Sequence, residues 1–347
     1  MCNIHTSALR VSLAGLLALA ATAANAADKV NLAATKNGGD IGIFYAIDKG
    51  FLKAEGIEAN LISFDTGAKM VPALATGELD IGTIPGSAGN YNAAARNINN
   101  RIVADRSQTA PDDMYQTLMI RKDLIESGRF RTYADLKGLK IAVAAPGISI
   151  LSIINEAAKK GGIAYDDIEK VFIALPQQTA AFRNKAVDGS IMIEPFATLI
   201  AANGDGVRFA STYDFNPEGQ FTYMVYSEQF SKNRPDAARR FMKAYIRALR
   251  AFNDATEKGR WRDTPHANEL IDILAKNLEI KPQQIRASFP HSVNPDGRVN
   301  IDGMKKELQF FIDQKMVQAK SIRVEDIVDM QYVEAAVKDL GPYRRAP

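Results

Sequence analysis

The chain has 347 residues, 46% hydrophobic, 24% charged and 8% aromatic, an ordinary globular composition on a length too great for one compact core. Its 43 basic and 40 acidic side chains leave a net charge of +3, too weak a bias to draw it to nucleic acid or an anionic membrane surface. Three histidines and one cysteine are too few for a zinc site, an iron–sulfur cluster or a disulfide framework, so neither metal nor cofactor is expected.

Residues 1–26 have the layout of a secretory signal. Arg10 precedes a short apolar run from Val11, then small residues and Ala24-Asn25-Ala26, an A-x-A cleavage site. The run is shorter than the ~20 residues a bilayer-spanning helix needs. Cleavage after Ala26 removes Cys2 and leaves a cysteine-free chain suited to a periplasm. Cys2 also lies ahead of the apolar run, whereas a lipid-anchored form needs its cysteine just after it.

The following segments alternate. Residues 30–35 read as a buried strand, and Ile43, Phe44, Ile47, Phe51 and Leu52 recur at helical spacing. After Gly56 a strand is expected over 57–64, then a helix through Met70, Val71 and Leu74 that Gly77 closes. A third strand follows over 79–84, a helix from Ser87 to Ala95, and a fourth strand over 101–104, with Arg106 just beyond it. Strands over 115–120, 139–144, 171–174, 191–193 and 207–210 continue the pattern, with helices running to Ala158 and from Pro176. Such alternation specifies a mostly parallel α/β sheet. The segment 223–226 returns the chain toward the first lobe. A weak internal echo relates Leu74-Ala-Thr-Gly77-Glu-Leu-Asp80 to Phe182-Arg-Asn-Lys185-Ala-Val-Asp188, with Lys185 where a turn glycine is usual. From Pro235 the chain is helical, with Ala238, Phe241, Met242, Tyr245, Leu249 and Phe252 in one apolar stripe.

Residues 42–57, Gly-Ile-Phe-Tyr-Ala-Ile-Asp-Lys-Gly-Phe-Leu-Lys-Ala-Glu-Gly-Ile, resemble the opening of the periplasmic substrate-binding proteins of ABC transporters for nitrate, sulfonates, taurine and thiamine-pyrimidine precursors. Residues 73–82 look like their "ALxxGxxDxG" element, residues 133–141 like "sxxDLkGkki", and Ile193-Glu194-Pro195-Phe196 like the "xEPxxx" of the second lobe. Pro295-Asp296-Gly297 and residues 324–329 extend the similarity to the tail. The resemblance implies a bilobal type II periplasmic binding fold, two mostly parallel α/β lobes with a helical C-terminal extension. It divides the chain into a signal peptide (1–26), the first part of lobe 1 (27–110), lobe 2 (111–225), and a return to lobe 1 with a helical cap (226–347). It also implies a monomer that captures a small organic solute, a sulfonate or carboxylate anion, by closing its lobes, and delivers it to an inner-membrane permease. The alternatives are a periplasmic enzyme or biosynthetic protein on the same fold, and a binding module linked to a sensor.

Ligands of open α/β sheets sit beyond the carboxyl ends of the strands, where helix N-termini offer free N–H groups. The candidate corners are Gly39 and Asp40; Thr66, Gly67 and Ala68; Gly86 and Ser87; and Gly147 and Ser149. Phe196, with Phe44 or Tyr45, is expected to bury an apolar part of the ligand, and Arg106 to grip an anion bidentately. Glu194 either favours a ligand with a donor group or only caps a helix. No catalytic constellation emerges: there is no phosphate loop or dinucleotide fingerprint, and Ser87 and Ser149 lack the flanking glycines of a nucleophile elbow.

Overall fold

A computed structural model describes residues 27–319 and 321–346; the expected signal peptide lies outside the described residues. Two five-stranded sheets organise the chain. The first is built from β1 (Asp28–Ala34), β2 (Ile57–Ser63), β3 (Ile81–Pro85), β4 (Arg101–Gln108) and a late strand, Gln220–Tyr226. The second contains β5 (Gln116–Arg121), β6 (Lys140–Val143), β7 (Glu169–Phe172), β8 (Gly189–Ile193) and β9 (Gly206–Ser211), which makes the late strand β10.

The strand orders are β2-β1-β3-β10-β4 and β7-β6-β8-β5-β9. In each sheet four strands run one way, and the fifth, β10 or β5, lies antiparallel between two of them. That fifth strand is in each case the one that has just crossed from the other half. The chain is back in the first sheet at Gln220, ahead of the boundary expected after residue 225. β4 is longer than its apolar segment suggested, so Arg106 lies within the strand rather than after it.

The echo falls on equivalent turns of the two sheets. Asp80, before β3, accepts the backbone N–H of Asn31 on β1 at 2.8 Å, and Asp188, before β8, accepts that of Lys140 on β6 at 2.9 Å. Each also pairs with an arginine, Arg234 and Arg121 respectively. Gly77 and Lys185 both adopt the left-handed conformation that ends the preceding helix, at φ 76° and 57°. The lysine therefore carries out the glycine's turn at a modest strain cost.

Helices cover both sheets. The helix Pro235–Asp254 buries its whole apolar stripe against Ile41–Asp48 and Gln331–Leu340. The helix Ile301–Asp313 packs on both Ala88–Ala95 of the first half and Ile150–Lys160 of the second. Short helices at Lys122–Glu126, Phe196–Ala202 and Glu228–Asn233 complete the connections.

Candidate functional site

The carboxyl ends of the parallel strands in the two sheets meet across a cleft of about 540 Å³, within the ~300–1,000 Å³ usual for small-molecule sites. The loop after β2 supplies Phe64, Thr66, Gly67 and Lys69, and the end of β3 supplies Pro85. The opposite wall comes from Ala144, Ala145, Ile148 and Ser149 after β6, Leu175, Pro176 and Gln178 after β7, and Ile193 and Phe196 beside β8. Crossing segments form the base: Arg106 and Ser107 of β4, Tyr115 and Gln116 entering β5, and Phe221 and Thr222 on β10. The walls are thus largely apolar and the base polar.

Arg106 is the charged group of that base. Its Nε donates to Asp40 Oδ1 at 2.9 Å and its Nη2 to Asn37 Oδ1 at 2.7 Å, while Nη1 keeps no hydrogen bond to the described residues. Burial opposes its charge, but Asp40, Tyr115 and Tyr245 outweigh that effect and raise its pKa. Asn37 is the hub that shapes the corner. Its side-chain oxygen also accepts the Gly39 N–H at 3.0 Å and the Tyr115 hydroxyl at 3.3 Å, and its amide donates to Thr35 Oγ1 at 2.7 Å.

Of the residues singled out in the sequence, Thr66, Gly67, Arg106, Ser149 and Phe196 line the cleft. Ala68 belongs to the same short turn as Gly67. Gly39 and Asp40 stand behind Arg106: a Cβ on Gly39 would sit 3.1 Å from the guanidinium, and Asp40 accepts from Thr83 Oγ1 at 3.1 Å as well as from Arg106. Gly86, Ser87, Gly147 and Ser149 form a backbone bridge between the halves. The Ser149 N–H donates to the Gly86 carbonyl at 2.8 Å and the Ala88 N–H to the Gly147 carbonyl at 2.9 Å, while Ser87 caps the helix Ala88–Ala95.

One expectation is corrected and one open alternative is decided. Phe44 and Tyr45 are both buried in the core, away from the cleft, because the helix Ile41–Asp48 is packed on several sides. Tyr45 reaches Glu269 at 3.3 Å, and burial first, then that carboxylate, raise its pKa. Glu194 takes the second of its two expected roles, capping the helix Phe196–Ala202 instead of facing the cleft. It pairs with Arg208 Nη2 at 2.6 Å and accepts the Thr198 N–H at 3.0 Å, with burial nonetheless raising its pKa.

Sequence reasoning missed Asn37, Phe64, Tyr115, Gln116, Phe221 and Thr222. The last four lie where the crossing segments enter the opposite sheets, a junction visible only once the strand order is known. A larger depression of about 730 Å³ lies on the surface beside Asp48 and Lys49. Four of its charges are paired with one another at the surface, Lys49 with Glu269 at 2.5 Å and Lys276 with Asp48 at 3.0 Å, unlike the buried polar base of the cleft.

Comparison with known proteins agrees with this architecture. The chain is 29% identical over 238 residues to a putative binding protein of Brucella abortus, a match covering 68% of this chain and 66%, just under two thirds, of that protein. It is 23% identical over 324 residues to a putative aliphatic sulfonates-binding protein of Escherichia coli, covering 90% and 93% of the two chains. Among solved structures, the alkanesulfonate-binding protein of Xanthomonas axonopodis pv. citri bound to MOPS aligns with a TM-score of 0.68 at 18% identity, over 87% of this chain and 98% of that one. A desulfurization enzyme shares the fold at a TM-score of 0.58 and 15% identity, over 90% and 100%. These neighbours have the bilobal type II periplasmic binding fold seen here. The NMT1-like family model matches residues 23–261, which include β1 to β10 and every residue lining the cleft, and the chain belongs to that family.

Proposed function

We propose that the chain is the solute-binding component of an ABC-type importer, exported to the periplasm, where it captures a small organic anion and presents it to a membrane permease. The observation that carries this reading is the cleft between the two sheets, with Arg106 at a polar base and apolar walls contributed by both halves. Nη1 of Arg106 is free to meet an acidic head, and its other nitrogens are fixed by Asp40 and Asn37, so the guanidinium is pre-organised. Phe64, Phe196 and Phe221 give an apolar body somewhere to go. The two halves are joined by the crossing segments and by the Gly86–Ser149 and Gly147–Ala88 bridge. Breaking and remaking that bridge is a small change that would open and close the cleft.

The sulfonate-binding names of relatives support an acidic solute, and the Brucella relative's name supports binding in general. The shared fold of a desulfurization enzyme raises a second reading, turnover of a bound sulfur compound. Against it, the cleft lining contains neither histidine nor cysteine, and the Ser149 hydroxyl is engaged as a donor to the Phe221 carbonyl. Titration calorimetry of the purified protein with sulfonates and carboxylates, together with small-angle scattering, tests the proposal. Saturable binding accompanied by compaction is expected, with the solute recovered unchanged. Absence of binding across the panel, or release of a chemically altered solute, would overturn it.

A further inference from the structure

The polar base of the cleft holds more than a charge. Gln116, the first residue of β5, is 3% exposed, and its side-chain oxygen has no hydrogen-bond partner. No described residue pairs with the amide nitrogen either, so turning the amide over would only leave the nitrogen orphaned in place of the oxygen. The hydroxyl of Thr222, on β10, is likewise buried and unpartnered. Thr222 pairs in register with Ser107, the residue after Arg106, which puts this second free group beside the charged one. The two come from the two crossing strands, one in each sheet, and both line the same cleft.

Buried polar groups are nearly always paired, and a native exception calls for a reason. Here the reason is the occupant of the cleft. We propose that Gln116 and Thr222 read a neutral hydrogen-bonding group on the solute, so that the solute is an organic acid also bearing a hydroxyl or amide N–H, rather than a plain acid. This rests on the reading of the cleft as the site of an acidic solute. The physical logic is one of exclusion. Both oxygens are shut away from water even with the cleft empty, so a solute whose hydroxyl or amide N–H reaches them as the lobes close satisfies two buried groups that a plain acid leaves unpaired. A site built to hydrogen-bond a substituent rejects the analogue lacking it far more strongly than an apolar pocket rejects a missing methylene. Gln116 and Thr222 are therefore specificity-determining residues, distinct from Arg106, which answers the charge.

Matched acids separate the two roles: mandelate against phenylacetate, and 2-hydroxyethanesulfonate against ethanesulfonate, titrated calorimetrically into the wild-type protein and into Gln116→Leu. In at least one pair the hydroxylated member is expected to bind about tenfold or more tightly. Gln116→Leu is expected to bring the members of that pair to similar affinity. Thr222→Val, close to isosteric, provides the same comparison should Gln116→Leu fail to fold by circular dichroism. Equal or tighter binding of the plain acid by the wild type overturns the inference and leaves the acidic-solute reading standing. So does discrimination that survives in the folded variants. Failure of all four acids to bind overturns the inference together with the reading beneath it.

Discussion

Replacing Asp40 by asparagine tests whether Arg106 is a buried charge held in place by its partner. The two side chains are 0% and 4% exposed, with Arg106 Nη2 2.8 Å from Asp40 Oδ1. Asparagine keeps the shape and an oxygen that can still accept from Arg106 and from Thr83; what it removes is the compensating negative charge and the second oxygen, which accepts the Asn37 N–H at 3.2 Å. Breaking a buried ion pair from one side costs ~3–5 kcal/mol, because the surviving charge stays buried and uncompensated. The two hydrogen bonds retained at Oδ1 keep Asp40→Asn toward the lower end, about 3 kcal/mol. With a urea m-value of about 3 kcal/mol/M for a chain of this size, the unfolding midpoint should fall by about 1 M. Arg106→Met, which strands Asp40 instead, should cost a similar amount. The double variant removes both charges and should lose much less than the sum, giving a coupling energy of about 2 kcal/mol or more. Additivity of the two single effects within about 0.5 kcal/mol would refute the reasoning, since residues that do not interact behave that way.

Two glycines should respond to alanine with opposite signs. A Cβ on Gly67 would overlap Cδ of Pro85 and sit 3.1 Å from the Ile84 backbone, so Gly67→Ala should destabilise by about 1–3 kcal/mol in urea and weaken solute binding by displacing a cleft wall. Gly89, within the helix Ala88–Ala95, has only Ser87 Oγ nearby at 3.6 Å, so Gly89→Ala should stabilise by about 0.5–1 kcal/mol. Phe196→Ala should lower solute affinity while moving the urea midpoint little, because Phe196 is only half buried and faces the cleft. A parallel loss of stability and affinity would instead mark it as core. Stability should also fall as pH rises from about 6.5 to 8. Burial pushes the carboxyls of Asp105 and Asp113 up to about 7, so between ~4 and 7 the folded state holds protons that the unfolded chain has released. Buried His291, pushed down to about 3, contributes the opposite slope, but only below about 6.5, where the unfolded histidine is still charged. Urea midpoints measured across that range should therefore decline, and less steeply in Asp105→Asn; a rising profile would contradict the assignment.

How much of this was legible in the sequence depends on whether the signal is local. The strands and most helices announce themselves by periodicity, and the stripe from Ala238 to Phe252 is buried as its spacing implies. The Asp80 and Asp188 echo was readable because each carboxylate serves its own turn, tying a strand entry to the neighbouring backbone. The short helix at Phe196–Ala202 follows Glu194-Pro195 with too few residues for a period to show. Arg106 was visible as a lone arginine near a crossing and Asp40 as a candidate corner, but not that Asp40 and Asn37 hold the arginine, since they lie 66 and 69 residues away in sequence.

The candidate site was harder to read for a structural reason. Every β-α turn in such a fold has the same chemistry, a small or hydroxylated residue ahead of free N–H groups, so the corner at Gly86 and Ser87 looks as ligand-ready as the corner at Thr66 and Gly67. Which corners open on the cleft is decided by the order β2-β1-β3-β10-β4 and its counterpart. The corner at Gly86 is instead used up by the bridge to Ser149, and Phe44 and Tyr45 are turned into the core by the helix Pro235–Asp254, which arrives from far along the chain. Gln116 and Thr222 escaped notice for the same reason. Each lies in the first three residues of a strand that has just crossed from the other half, and a polar residue near a strand entry looks like a solvated end until the pairing encloses it. Their burial without partners is a property of the assembled base, and it makes them better markers of ligand chemistry than the turns, whose polar groups are explained by capping alone.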